Sequence, residues 1–161
     1  MTSRAGEVTL IRRIVVLGVI VLSFGQVAGS LQAQDYTVGR QVTVFGVLAT
    51  PGNAKDDPKL KDVLPQLRTL FPKHSFKLVK VESKRLVSGQ TISCDLGDGF
   101  VASNQLSIPT DPNGKIQMRF DLAYAGFSQY QTIVTTPPGQ IFYVNRVLPD
   151  GERLVIGIGA R

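Results

Sequence analysis

Only one histidine and one cysteine, His74 and Cys94, are available for nucleophilic or metal chemistry in this chain. A zinc site with two histidines is therefore excluded within a single chain, and carboxylates would have to supply most of the ligands. Cys94 lies in TISCDL, whose alternation of apolar and polar residues predicts an inward, unreactive thiol on a strand. Because His74 is expected in a polar turn, the sequence does not predict a Cys94–His74 catalytic pair.

Three aspartates are the other candidates for chemistry: Asp95 and Asp98 in DLGDG, and Asp121. The DLGDG segment lacks the further ligands and the terminal glutamate of a calcium-binding EF-hand loop, and a type I turn accounts for Asp98 and Gly99. Carboxylates that are distant in the chain can still meet, so a hydrolase built on these acids stays open as a less favoured alternative. No catalytic, cofactor-binding or metal site is predicted, and the chain is not expected to be an enzyme.

Positive charge is concentrated in one part of the chain. Between Lys55 and Arg85 there are nine basic and four acidic residues. The basic stretch, as we define it, consists of Lys73, His74, Lys77, Lys80, Lys84 and Arg85. On an extended strand Lys80 and Lys84 would share one side and Lys77 would take the other.

Two interpretations of the basic stretch are open. It could contact an acidic surface, such as lipid headgroups, acidic glycans or an acidic protein face. The interpretation that we favour is that these lysines protect an exposed edge strand from aggregation. Nucleic acid is not expected as a partner, because aromatic residues do not interleave with the lysines.

Phe127 is the apolar residue with the most unusual placement, in AGFSQ at an expected hairpin tip. Its side chain could contact a partner. We favour the other expectation, that it packs back onto the sheet.

The N-terminal segment predicts export. Arg12 and Arg13 precede an apolar run from Ile14 to Gly25, which is shorter than the roughly 20 residues of a membrane span. Small residues follow, and cleavage after Ala33 is expected. The alternative is a retained single-pass anchor. Residues 1–33 are therefore interpreted as a signal peptide and residues 34–161 as one exported β-rich domain in the periplasm, the cell envelope or the extracellular space.

The elements that must position these residues are mostly strands. An apolar strand over 41–49 has the pattern of a strand that is covered on both sides. Apolar residues at spacings of three and four then predict an amphipathic helix over about 58–71, begun by Asp57 and Pro58 and kinked at Pro65. Seven short strands separated by turn residues follow. The predicted fold is mainly β, in the α+β class: an antiparallel β-sandwich or small open barrel with one helix after the first strand.

From Val42 onward the chain resembles a recurring type of uncharacterised exported bacterial domain. The residues that carry this resemblance are DPKLKDVLPQLRTLF, SFKLVKVE, LVSGQTISCDL and PDGERLVIGIGA. The later half, from IQMRFDLAY through TIVTTPPGQIFYV, is also similar to the β-domain of outer-membrane secretins. There a long strand pair is followed by a threonine-rich strand, a Pro/Gly-Gln turn and a last apolar strand. The chain lacks the length of a secretin and its lipid-facing hairpins. The resemblance implies an envelope protein of binding or structural type.

These observations together predict a non-enzymatic envelope protein that acts as a structural or protein-interaction domain, beside a secretion or surface assembly. The expected partner is another envelope protein. The alternative function is binding to a polyanion or a membrane surface through the basic stretch. The sequence does not predict an oligomeric state.

Overall fold

The computed structural model describes residues 39–107 and 114–161, which form eight strands and a short helical segment. The strands are β1 (Arg40–Pro51), β2 (His74–Leu86), β3 (Thr91–Gly97), β4 (Phe100–Leu106), β5 (Ile116–Tyr124), β6 (Phe127–Thr136), β7 (Ile141–Val147) and β8 (Arg153–Ala160). They form two antiparallel four-stranded sheets. Sheet A has the order β2-β1-β8-β7, and sheet B has the order β3-β4-β5-β6.

The two sheets pack face to face around the main core, which confirms the predicted β-sandwich. Alternate residues of each strand point into this core. Val44 and Ile156 contribute from sheet A, while Cys94, Phe120 and Met118 contribute from sheet B. We call the core side of each sheet its inner face and the opposite side its outer face.

A second core covers the outer face of sheet A, where the helical segment packs. Phe45, Val47 and Phe76 point outward from β1 and β2 and contact Leu60 and Leu67 of the helical segment. The central strands β1 and β8 are therefore buried on both faces, which explains their nearly continuous apolar sequence and confirms the expectation for 41–49.

The helical segment differs from the single helix that was predicted over 58–71. It consists of a 3₁₀ helix at Pro58–Leu60, capped by the Asp57 side chain, and a separate α-helix, α1, at Leu64–Leu70. The physical reason is Pro65, which lacks an N–H group and is tolerated only in the first turn of a helix. It therefore starts a second helix where a kink was expected.

Two turns also differ from expectation. The β3–β4 turn has positive φ angles at both Asp98 and Gly99 (51° and 84°), so it is of type I′ and not of type I. The β5–β6 turn has the same character at Ala125 and Gly126, and it is shorter than the expected AGFSQ loop. Both turns match the right-handed twist of the strands that they join.

Two sequence predictions fall outside the described residues. They are the leader at 1–33 and most of the turn that was predicted in TDPNGK. Among residues 39–107 and 114–161, no helix has the length and apolar character to cross a membrane.

Candidate interaction surfaces

Cys94 and His74 lie on opposite sides of sheet A. The Cys94 side chain is fully buried in the core between the sheets, as the sequence predicts. Burial raises the pKa of its thiol to about 11; Glu82 and Asp95 raise it further and Lys80 opposes them. His74 begins β2 opposite Pro51 on the outer face, half-buried with its ring 5.7 Å from that of Phe71. It therefore lies in a strand next to an aromatic ring and not in the polar turn that was expected.

The three candidate aspartates make local contacts. The Asp95 carboxylate accepts a hydrogen bond from the Gly97 N–H, and the Asp121 carboxylate accepts one from the Ser128 hydroxyl. Asp95 and Asp121 lie on the outer face of sheet B with β4 between them, at Cα positions about 12 Å apart from strand spacing. Asp98 lies exposed in the β3–β4 turn. Within the described ranges, no three histidine, cysteine or acidic side chains are grouped as metal ligands would be.

A cavity of about 420 Å³ lies on the outer face of sheet A beside the 3₁₀ helix. Its floor includes Gly159, and its apolar walls include Leu60, Val81 and Ile141. Asp62 is the single acidic side chain among its described lining residues, so the cavity does not bring together the paired acidic side chains that glycoside hydrolysis requires.

The basic stretch follows β2, which is an edge strand of sheet A. The prediction that Lys77 faces away from Lys80 and Lys84 is wrong. A bulge shifts the register at Gly46/Val47, so that Lys77 lies opposite Leu48 while Lys80 and Lys84 lie opposite Gly46 and Val42. The extra residue in β2 returns Lys77 to the inner-face side.

Lys77, Lys80 and Lys84 thus form one row on β2, and the remaining members of the basic stretch lie apart from it. Arg85 lies opposite Gln41 on the outer face. Lys73 is exposed in the turn before β2. Lys80 forms an exposed ion pair with Glu82 at 3.4 Å, which reduces the positive charge of the row.

The first half of the β2 edge is covered by Asp56 and Asp57. The Asp56 carboxylate accepts from the Phe76 N–H at 3.0 Å and pairs with Arg68. The Asp57 carboxylate accepts from the Leu78 N–H at 3.3 Å, and its own N–H donates to the Phe76 carbonyl at 2.8 Å. Covered backbone groups and lysines that point inward are two devices by which edge strands avoid pairing with other chains.

Strand β6 is also an edge strand, but unlike β2 it is uncharged. Its sequence, FSQYQTIVTT, contains no charged residue and no proline. Three of its large apolar or aromatic side chains are exposed: Phe127 to 75%, Ile133 to 58% and Tyr130 to 45%. The expectation that Phe127 packs back onto the sheet is therefore wrong, because the short type I′ turn directs it into solvent.

The backbone groups on the free edge of β6, the side away from β5, can be assigned from the ladder. The carbonyl of Gln117 accepts from Ser107, so odd-numbered residues of β5 bond toward β4 and even-numbered ones toward β6. Even-numbered residues of β5 lie opposite even-numbered residues of β6 from Tyr130 to Thr136. The N–H and C=O groups of Gln131, Ile133 and Thr135 therefore point to the free edge, where no described strand pairs with them.

The other two edges are shorter and carry charge. Strands β3 and β7 have seven residues each against ten in β6, and they contain Asp95 and Arg146 respectively. Of the four described edge strands, β6 is thus the one that contains no charged side chain.

Sequence reasoning found Phe127 but missed Gln131, Ile133 and Thr135. The absence of charge in YQTIVTT was visible in the sequence. Its position at the edge of a sheet was not, because strand order depends on long-range pairing.

No protein-family model, curated protein or solved structure matches this chain.

Proposed function

We propose that the chain is an exported, non-enzymatic domain of the cell envelope that acts by protein–protein contact, in which an extended strand of a partner pairs with the free edge of β6. Export rests on the short apolar run after Arg12 and Arg13. A secretion or surface assembly of the cell envelope is the expected setting, in line with the secretin-like pattern of the later half.

The free edge of β6 carries this proposal. It offers three N–H and three C=O groups in register, from Gln131, Ile133 and Thr135, with exposed apolar side chains beside them. Strand addition uses this combination, in which main-chain hydrogen bonds supply affinity and alternate side chains supply specificity. The contrast with β2 supports the proposal, because β2 carries lysine and arginine side chains, which disfavour pairing with another strand, and β6 carries no charged residue.

A pair of substitutions at one position tests the proposal. Gln131→Pro removes an N–H group that points to the free edge and leaves the β5–β6 ladder intact, while Gln131→Ala keeps that N–H group. The full chain carrying each substitution is used to capture proteins from envelope extract. We expect Gln131→Pro to reduce capture by about tenfold, the effect of losing one main-chain hydrogen bond, and Gln131→Ala to retain it.

Thermal unfolding of both variants serves as the folding control. If Gln131→Pro unfolds at the temperature of the unmodified chain and captures the same proteins equally well, strand pairing at β6 is rejected. If both variants lose capture equally, the Gln131 side chain carries the contact and the backbone mechanism is wrong.

A second candidate function is binding to a polyanion or an acidic membrane surface. The observation that favours it is the β2 bulge, which brings Lys77, Lys80 and Lys84 into one row. Binding to heparin or to vesicles containing acidic lipid should then weaken steeply between low and physiological salt. A triple change of these lysines to glutamine should abolish that binding, and salt-independent binding would exclude this function.

A further inference from the structure

We propose that the strand that pairs with the free edge of β6 is β6 of a second copy of this chain, antiparallel to the first, with the two-fold axis beside Ile133. The inference rests on the proposed function, since it names the partner for the same edge. The result would be a continuous eight-stranded sheet formed from two copies of sheet B.

Symmetry restricts how two β6 strands can pair. A two-fold axis perpendicular to the sheet makes the strands antiparallel and keeps their outer faces on the same side. Each residue whose N–H and C=O groups point to the free edge then lies opposite a residue of the same kind in the second copy, so that the two can exchange hydrogen bonds. Gln131, Ile133 and Thr135 are centred on Ile133, which is also the middle of the regular part of β6 after its bulge.

This register places compatible side chains opposite one another. Ile133 lies opposite its own copy, and Gln131 lies opposite Thr135 of the second copy, all on the outer face. Thr132 lies opposite Val134 of the second copy on the inner face. Burial of the exposed Ile133 side chain against its own copy provides the apolar contribution.

The charge distribution favours self-pairing at β6 over self-pairing at β2. No charged residue lies in β6, so its self-pairing opposes no like charges. Self-pairing of β2 would instead bring lysines of one strand close to lysines of the other. Like charges that are directly opposite destabilise a strand pair.

The contact is small. Ten residues span about 33 Å, and a single strand pair buries less than the roughly 800 Å² per partner of a standard interface. We therefore expect a dimer whose population depends on concentration, which sedimentation velocity measures.

Charge pairs at positions 131 and 135 test both the partner and the register. Both side chains are exposed on the outer face, so substitution should leave the folded domain unchanged. In the proposed register, Gln131→Lys with Thr135→Lys places two lysine–lysine pairs across the interface. Gln131→Lys with Thr135→Glu places two lysine–glutamate pairs there. From the usual size of such pairs, we expect dimerisation to weaken by about twofold to thirtyfold in the first variant and to be restored in the second.

Thr91→Lys, at the opposite edge of sheet B, is the matched control and should dimerise like the unmodified chain. A chain that stays monomeric up to about 1 mM overturns the inference, because a dimer with a dissociation constant above that value is too weak for the pairing proposed here. Dimerisation that ignores the lysine–lysine variant also overturns it. A lysine–glutamate variant as weak as the lysine–lysine variant rejects the register centred on Ile133.

Failure of this inference can be distinguished from failure of the proposed function. If the unmodified chain is monomeric but captures another protein in a manner that Gln131→Pro abolishes, self-pairing is wrong and strand pairing at β6 survives. If Gln131→Pro changes neither dimerisation nor capture, both are rejected.

Discussion

Gly157 lies beneath the ring of Phe45, and replacing it by alanine tests the packing of the second core. A Cβ atom at position 157 would meet three ring atoms of Phe45, Cζ at 2.2 Å, Cε1 at 2.5 Å and Cε2 at 2.8 Å. The ring has little room to move away, because Phe45 is 7% exposed and Tyr143 packs edge-on against it with the ring centroids 6.2 Å apart. Either the ring or the β1–β8 backbone has to shift.

We expect Gly157→Ala to destabilise the domain by about 1–3 kcal/mol, the usual cost of overpacking a well-packed core. The effect of the same substitution on stability should have the opposite sign in a chain that also carries Phe45→Leu. Leucine lacks the three ring atoms that the new methyl group would meet, so the clash disappears. Gly157→Ala should then stabilise that background by about 0.4–1 kcal/mol, because alanine reduces the conformational entropy of the unfolded chain.

Urea unfolding of the four chains in this double-mutant cycle provides the measurement. For a slope of about 2 kcal/mol per molar urea, a loss of about 2 kcal/mol moves the midpoint by about 1 M. The coupling between the two positions should exceed about 1.4 kcal/mol. An equal effect of Gly157→Ala in both backgrounds, or no effect in the unmodified chain, would refute the packing described for Phe45.

Two further predictions concern alkaline pH and the β2 edge. Burial raises the pKa of Cys94 from 9.0 to about 11 and that of Tyr143 from 10.0 to about 12, so the folded state holds both protons more tightly than the unfolded state. Their contribution to stability should be complete below pH 9 and be lost as pH rises toward 12. Cys94→Ala should make the urea midpoint depend less steeply on pH between pH 9 and pH 11. An unchanged slope in that variant would contradict the expectation. Asp56→Ala should cost about 1–3 kcal/mol because it leaves the part-buried Phe76 N–H without its acceptor, whereas Asp56→Asn keeps an acceptor and should recover most of that loss. Equal thermal destabilisation by both substitutions would show that the ion pair with Arg68 matters more than the hydrogen bond.

Much of the fold was predictable because periodicity is a local property. In IQMRFDLAY every second residue is apolar, and Ile116, Met118, Phe120 and Leu122 are all buried in β5. The nearly continuous apolar character of 41–49 likewise predicted a strand covered on both faces. The helical segment was predicted with the right residues and the wrong continuity, since the effect of Pro65 depends on whether the helix starts before it or at it.

The candidate sites were less predictable because they depend on pairing between distant segments. The side on which Lys77 lies is determined by the bulge opposite Gly46 and Val47, and no local pattern in β2 encodes it. The exposure of Phe127 similarly depends on a type I′ turn at Ala125 and Gly126, where the sequence indicated only a loop.

The sequence by itself determined that the first strand of this domain is buried on both faces, that Cys94 points inward, and that positive charge is concentrated before Leu86. Each of these follows from residue types and their spacing along one segment. Only the tertiary structure decided which strands are edges, and so which of them carries charge and which does not. The order of strands in a sheet results from hydrogen bonds between segments that are far apart in the chain. The free backbone groups of Gln131, Ile133 and Thr135 therefore became visible only when β6 was placed at the end of sheet B.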